Sequence, residues 1–380
     1  MIYWDNNSTT PCAPEVVEAM RPYWNEEYGN PFNSHLMGRR AEWAVTRARQ
    51  QVAQLSNALE HEIIFTSGAT ESNNLLFLGI LLSRSAGRRR IVVSSVEHKA
   101  VLDPALMLAK HGFEIVKLPV DATGKVDIKQ AKTLITEETL LVSVQTANNE
   151  LGTLQPVRES SDIAHENGAF FHTDAAQALG KVPFDVEEIN CDFASISAHK
   201  LYGPKGVGGL FVRGGPKRWP WARPFQGGGQ EGGLRPGTSN VPGIVGFGEA
   251  CRIAREQLHE SIRTLSELSA CFVQQLKREI PELIVNNDIQ NSLPGTLSIT
   301  IPDIPADLLI DNLRTVAMSK SSACTNQAVS ISHVLKAINM SDTLAECTFR
   351  ISLSRYSTLE DIYKATDMIK QAIREIQILL

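Results

Sequence analysis

Short apolar runs rich in β-branched and aromatic residues recur along the first two-thirds of the chain. They read EIIFT (62–66), RIVVSS (90–95), LLVSVQTA (140–147), AFFHTDA (169–175), DFASISA (192–198) and GGLFVR (208–213). Between them the spacing turns helical, with helices expected from about Thr70 and near Ala100. Apolarity within these runs is nearly continuous, as it must be for strands covered on both faces. Strands that alternate with helices in this way predict an α/β fold with a mostly parallel central sheet between helices. After about residue 254 the texture changes. A long helix, roughly 241–280, leads to GTLSITI, TVAMS and TFRISLS, and the chain closes with Ile362, Ala365, Ile369, Ala372, Ile373 and Ile376 at helical spacing. This predicts a large α/β domain over 13–254 and a smaller α+β domain built from 1–12 and 255–380.

Composition narrows the function classes. The 380 residues carry a formal net charge of −5, whereas nucleic-acid-binding domains are usually basic; direct nucleic acid binding is not expected. The opening MIYWDNNSTTP lacks the basic and apolar regions of a secretory leader, and the longest apolar run, NNLLFLGILLS, is about half a membrane span. Six cysteines at 12, 191, 251, 271, 324 and 347 form no CxxC pair and match no zinc spacing. Reduced thiols in a cytoplasmic protein are expected, with no metal and no membrane.

Candidate chemistry clusters at the ends of the predicted strands, where open α/β sheets bind ligands. DFASISAHKLYGPKGVGG (192–209) ends an apolar strand in His199 and Lys200. Lys200 is either a surface lysine in a turn or an amine meant to form an imine. FTSGATESNN (65–74) runs from a strand into a helix through small residues. Its free backbone N–H groups and Thr70 suit a phosphate, although Thr70 followed by Glu71 also reads as an ordinary cap. In HTDAAQALG (172–180), Asp174 is either a capping residue or the partner of a protonated ring nitrogen such as that of pyridoxal phosphate, with Gln177 one turn along. Ser197 and His199 flank Lys200 and are placed to bind the phosphate. His98, in SSVEHKA, is either a structural histidine or a ring that stacks on the cofactor and shuttles protons.

In order and spacing these motifs, together with YWDNNSTTP, GNPFNSH, VEHKAV, ANNELGTLQP, GGGQEGGLRPGTSNVPGIVGFGEA, SSACTNQ and RISLSRYST, resemble the cysteine desulfurases of the NifS/IscS type, fold-type I pyridoxal-phosphate-dependent enzymes, over nearly the whole chain. The resemblance implies roles for individual residues. Lys200 matches the lysine that forms the Schiff base, Asp174 the partner of the ring nitrogen, and His98 the stacking acid/base. Asn149 and Gln177 match residues that contact the cofactor ring or its hydroxyl, and Ala69, Thr70, Ser197 and His199 match the phosphate cup. Thr238 matches a threonine that reaches the phosphate from a second subunit, which implies a homodimer. Cys324 matches the nucleophile that accepts sulfur. Arg350, with Asn149, matches the pair that binds the substrate, the arginine gripping its carboxylate.

The activity so implied converts L-cysteine to L-alanine, leaves a persulfide on Cys324 and passes the sulfur to an acceptor protein serving iron–sulfur clusters or the thiolation of tRNA, DNA or cofactors. Rival readings are a selenocysteine lyase or a cysteine sulfinate activity, a fold-type I aminotransferase, and a non-catalytic sulfur-relay or scaffold protein. The thiol in SSACT speaks against the aminotransferase, and intact Lys200 and Asp174 speak against the scaffold. Two positions depart from the family pattern: Gly232 replaces an arginine after GGGQE, and Pro236 replaces a serine or alanine before GT.

Overall fold

The computed structural model describes residues 1–83, 87–320 and 331–379. Its strands are β1 Ile2–Tyr3, β2 Ile63–Thr66, β3 Arg90–Ser94, β4 Glu114–Leu118, β5 Thr139–Ser143, β6 Phe170–Asp174, β7 Phe193–Ser197, β8 Gly208–Val212, β9 Ile284–Val285, β10 Thr296–Thr300, β11 Val316–Ala317, β12 Ser319–Lys320 and β13 Thr348–Ser352. Seven of them form one sheet in the order β2-β8-β7-β6-β5-β3-β4. The pairings β7–β6, β6–β5, β5–β3 and β3–β4 are parallel, and β8 runs antiparallel to both β7 and β2.

The apolar strands serve both faces, as their continuity predicts. In β2, Ile63 and Phe65 join one buried cluster and Ile64 joins another; Val92 separates from Ile91 and Val93 in the same way in β3. Successive side chains of a strand point to opposite faces, so one run of apolar residues feeds two cores. One strand of the large sheet escapes the sequence reading. β4 occupies the sheet edge, and only Leu118 of its five residues is fully buried. An edge strand does not need a continuous apolar run, so EIVKL does not stand out.

A second sheet, β12-β13-β10-β9, is antiparallel throughout. Helix Val241–Glu279 serves both sheets. Val241, Ile244, Phe247 and Ala250 pack into the cluster of the large sheet, whereas Leu268, Phe272, Val273 and Leu276 pack into that of the small one. The C-terminal helix Leu359–Leu379 buries all six residues that its spacing singles out. The chain start lies against the small sheet. β1 pairs with β11, and Trp4 meets the edge of Phe272 at 5.1 Å between ring centroids.

At the centre of the large sheet His172 is completely buried, its ring bonded to Ser143 Oγ (2.8 Å) and Ser195 Oγ (3.1 Å) on the neighbouring strands. Burial pushes its pKa from 6.5 down to about 4, against the opposing pull of Asp174. The unfolded chain takes up a proton at this residue below about pH 6.5 while the native protein refuses it until about pH 4, so its contribution to stability is lost as pH falls through that window. In urea unfolding at a series of pH values, His172→Gln is expected to lose stability less steeply than the parent between pH 6.5 and pH 4. Equal slopes would remove His172 from the acid response.

Candidate active site

Strands β2, β3, β5, β6 and β7 deliver their C-terminal ends to one cavity of about 730 Å³. Asp174 is the last residue of β6 and Ser197 the last of β7, with His199 and Lys200 in the short turn beyond. His98 follows β3, Asn149 follows β5, and Ala69 and Thr70 open the helix after β2. All of these, with Gln177 and Arg350, line the cavity. Thr238 does not; it lies exposed in the segment before helix Val241–Glu279. Cys324 lies outside the described residues.

Asp174 is buried, and its carboxylate accepts from Asn73 Nδ2 (2.8 Å) and from the backbone N–H of Ala176 (3.0 Å). Among the described residues no cation pairs with it. A buried carboxylate held by neutral donors and facing a cavity fits a positively charged ring N–H in that cavity. Another part of the cavity lining fits a phosphate. Helix Ala69–Leu82 begins after Gly68 with no side chain capping its N–H groups. Gly208 lets this turn approach β7 and β8: a Cβ there would lie 2.6 Å from Gly68 Cα and 2.5 Å from Ile196 O. Ser197 and His199 close the cup. His199 Nδ1 bonds Thr9 Oγ1 (3.0 Å), and burial together with Lys200, Lys205 and Lys181 pushes its pKa down to about 4, so the ring is neutral at pH 7. The residues present therefore fit pyridoxal phosphate at both its ring nitrogen and its phosphate.

Lys200 donates from Nζ to the backbone carbonyls of Asn7 and Ser8, the latter at 2.7 Å. Arg350, 1% exposed, donates to Asp5 Oδ1 (2.6 Å), Ser8 Oγ (2.8 Å) and Asn149 O (2.9 Å). Its Nε is buried with no partner among the described residues, leaving a donor to offer an anion.

Sequence reasoning about individual side chains assigned no role to several residues of this site. Asn7, Ser8 and Thr9 line the cavity from the first ten residues. Glu150 also lines it. Its carboxyl accepts from Ser332 Oγ (2.6 Å), and burial raises its pKa to about 7 against the pull of Ser332, Arg350 and His98. Glu97, beside His98, is pushed well above the carboxylate range by burial first. The signal for both was a lone acid next to a residue already singled out, in VEH and NNE.

The two departures have local causes. Gly232 has φ +60°, and a Cβ there would meet Pro216 at 2.6 Å, so neither the backbone nor the space suits an arginine. Glu231 before it, also at positive φ, is anchored by a two-pronged ion pair with Arg49 (2.7 Å each) and by the N–H of Phe65 (2.9 Å). Pro236 packs against Gly227, where a Cβ would lie 2.9 Å from the proline ring.

Known proteins resemble the chain over nearly its whole length. Residues 2–364 match the aminotransferase class-V family. The chain is 41% identical over 378 residues to the cysteine desulfurase IscS of Dictyoglomus turgidum, covering 99% of this chain and 95% of that protein. It is 39% identical over 377 residues to the human cysteine desulfurase, covering 99% of this chain and 82% of that one. Among solved structures, a NifS-like protein superposes with a TM-score of 0.91 at 37% identity, over 98% of this chain and 99% of the other. SspA in complex with cysteine superposes at 0.82 and 35% identity, over 94% and 100%. The chain belongs to the aminotransferase class-V family and, within it, to the pyridoxal-phosphate-dependent cysteine desulfurases of the NifS/IscS type.

Proposed function

We propose that this cysteine desulfurase performs its chemistry in the cavity between β6, β7 and β13. Lys200, Asp174, His98, Asn149, Gln177, Ala69, Thr70, Ser197 and His199 hold pyridoxal phosphate, and Arg350, with Asn149, receives the carboxylate of L-cysteine. The observation that carries this assignment is the approach of Asp174 and Lys200 to one cavity from adjacent strands, a carboxylate without a cationic partner facing the same space as an amine. When bound, the cofactor supplies the electron sink that makes the substrate Cα proton acidic. The protein does the rest. Asp174 keeps the ring nitrogen protonated, the Lys200 Nζ moves the Cα proton, and the His98 imidazole covers the ring and relays protons. The thiolate of Cys324 attacks the substrate sulfur. The S–S bond forms as the substrate Cβ–S bond breaks, the carbon takes that electron pair and a proton, and L-alanine leaves. The persulfide on Cys324 is then passed to a sulfur-acceptor protein.

Two further parts belong to this reading. Residues 13–254 form the cofactor-binding domain, and 1–12 with 255–380 form the smaller domain; the separate apolar clusters of the two sheets support that division. A homodimer completes the site through Thr238. The exposed Trp24 (66%), Tyr28 (71%), Phe32 (59%) and Trp43 (62%) give the N-terminal helical region an apolar surface that fits a second copy. Work in the reducing cytoplasm fits the five unpaired cysteines among the described residues. No helix among the described residues is long and apolar enough to cross a membrane.

Lys200→Ala is expected to reduce turnover to background and to abolish the visible absorbance that borohydride removes; persistence of that absorbance would assign the lysine elsewhere. Cys324→Ser is expected to keep fold and cofactor but to lose L-alanine and sulfide production. In the parent, mass spectrometry after brief exposure to L-cysteine should place the added sulfur on the peptide carrying Cys324; sulfur on Cys12, Cys191, Cys251, Cys271 or Cys347 instead would overturn the assignment. Sedimentation should give a dimer, and Thr238→Ala should weaken cofactor retention. A stable, fully active monomer is the contrary result.

A further inference from the structure

The mechanism above leaves one buried cation unused. Lys181 lies just beyond the turn that follows Gln177, and part of its side chain reaches solvent while its ammonium sits deep. Nζ donates to Gln177 Oε1 (2.8 Å) and to Asn7 Oδ1 (3.2 Å). Both acceptors are neutral amide oxygens. Gln177 in turn donates from Nε2 to Asn7 O (2.8 Å), the same carbonyl that receives Lys200 Nζ. Two lysines thus meet through one glutamine and one asparagine, behind the wall of the cofactor cavity.

This arrangement has two consequences. While Lys181 is protonated, turning the Gln177 amide over would set its NH2 group against an ammonium, donor against donor, so the charged Lys181 fixes which end is which. With Oε1 engaged by Lys181 and one Nε2 hydrogen on Asn7 O, the second Nε2 hydrogen is the donor left for a ligand. The charges also oppose one another. Burial first, then Lys200 and Arg350, push the Lys181 pKa well below the ordinary lysine range. His199 in turn feels both lysines and Lys205. Coulomb coupling is mutual, so a proton on Lys181 makes a proton at the Lys200 nitrogen less favourable.

We propose that Lys181 is a positioning residue of the cofactor site: it locks the Gln177 amide with an N–H towards the cofactor's ring oxygen and sets a positive charge behind the Lys200 nitrogen. This rests on Lys200 being the cofactor lysine and on Gln177 facing the cofactor ring. A hydrogen-bond donor and a nearby cation both stabilise the anionic ring oxygen and disfavour a proton on the nitrogen that joins lysine to cofactor. Removing Lys181 should therefore raise the pH at which that nitrogen deprotonates.

The test is a spectrophotometric pH titration of the holoenzyme. Lys181→Met keeps an unbranched side chain but removes the charge and the donor, and its absorbance midpoint is expected to rise by about one pH unit relative to the parent. A merely structural lysine would lower the thermal midpoint and leave the spectral one in place; an unchanged spectral midpoint in a folded, cofactor-loaded variant overturns the proposal. If Lys181→Met does not fold, the coupling is read from the other side. In cofactor-free protein with 13C-methylated lysines, the NMR titration of Lys181 should move up in Lys200→Ala relative to the parent. Equal Lys181 titrations in the two proteins overturn the proposal. Borohydride reduction and peptide mapping of the parent separate the underlying reading: cofactor fixed to a peptide lacking Lys200 would fail that reading, whatever Lys181 does.

Discussion

The ammonium of Lys200 rests on the backbone carbonyls of Asn7 and Ser8, and the site is organised around that contact. A carbonyl can hold a lysine in place only if the backbone carrying it is itself fixed. Here the chain start is pinned from several directions. Asn6 Nδ2 and the N–H of Asn7 bond Ser352 at the end of β13, Asn7 Nδ2 reaches Thr296 Oγ1 on β10, and Thr10 bonds the backbone of His199. The same short segment carries Asp5, which pairs with Arg350. The lysine on the large sheet and the arginine on the small one are thus located by the first ten residues, so neither is in position until both sheets have formed and the chain start has closed over them.

Charge follows the same geometry. The cavity region gathers basic groups, Lys200, Lys181 and Arg350, against Asp174, Asp5 and Glu150. Burial adjusts the rest. It keeps His199 neutral beside the proposed phosphate cup and brings Glu150 to about 7, where small changes in its surroundings decide its charge. An anionic cofactor and an amino-acid carboxylate both gain from such a site, because its fixed charges sit where water screens them least. Asp174 is the counterweight at the end of β6, and in the proposed assignment it faces the ring nitrogen.

Much of this was legible in the sequence. Six apolar runs announced strands of the large sheet, and the helical spacing of Ile362 to Ile376 announced the closing helix, because burial on two faces or on one stripe leaves a period that survives without neighbours. Nine candidate residues fell at or just beyond predicted strand ends and do line one cavity, since the alternation of strand and helix forces parallel strands to end on the same edge. The tertiary structure alone decided the remainder. The direction of β8 depends on a connection too short for a crossover helix, which sequence periodicity does not encode. β4 was hidden because an edge strand buries too little to need apolar residues throughout. Asn7, Ser8 and Lys181 were unreadable as site residues for a different reason. Their contacts reach partners as many as 345 positions away, and a small polar residue at a chain start looks the same whether it meets water or a lysine of the cavity.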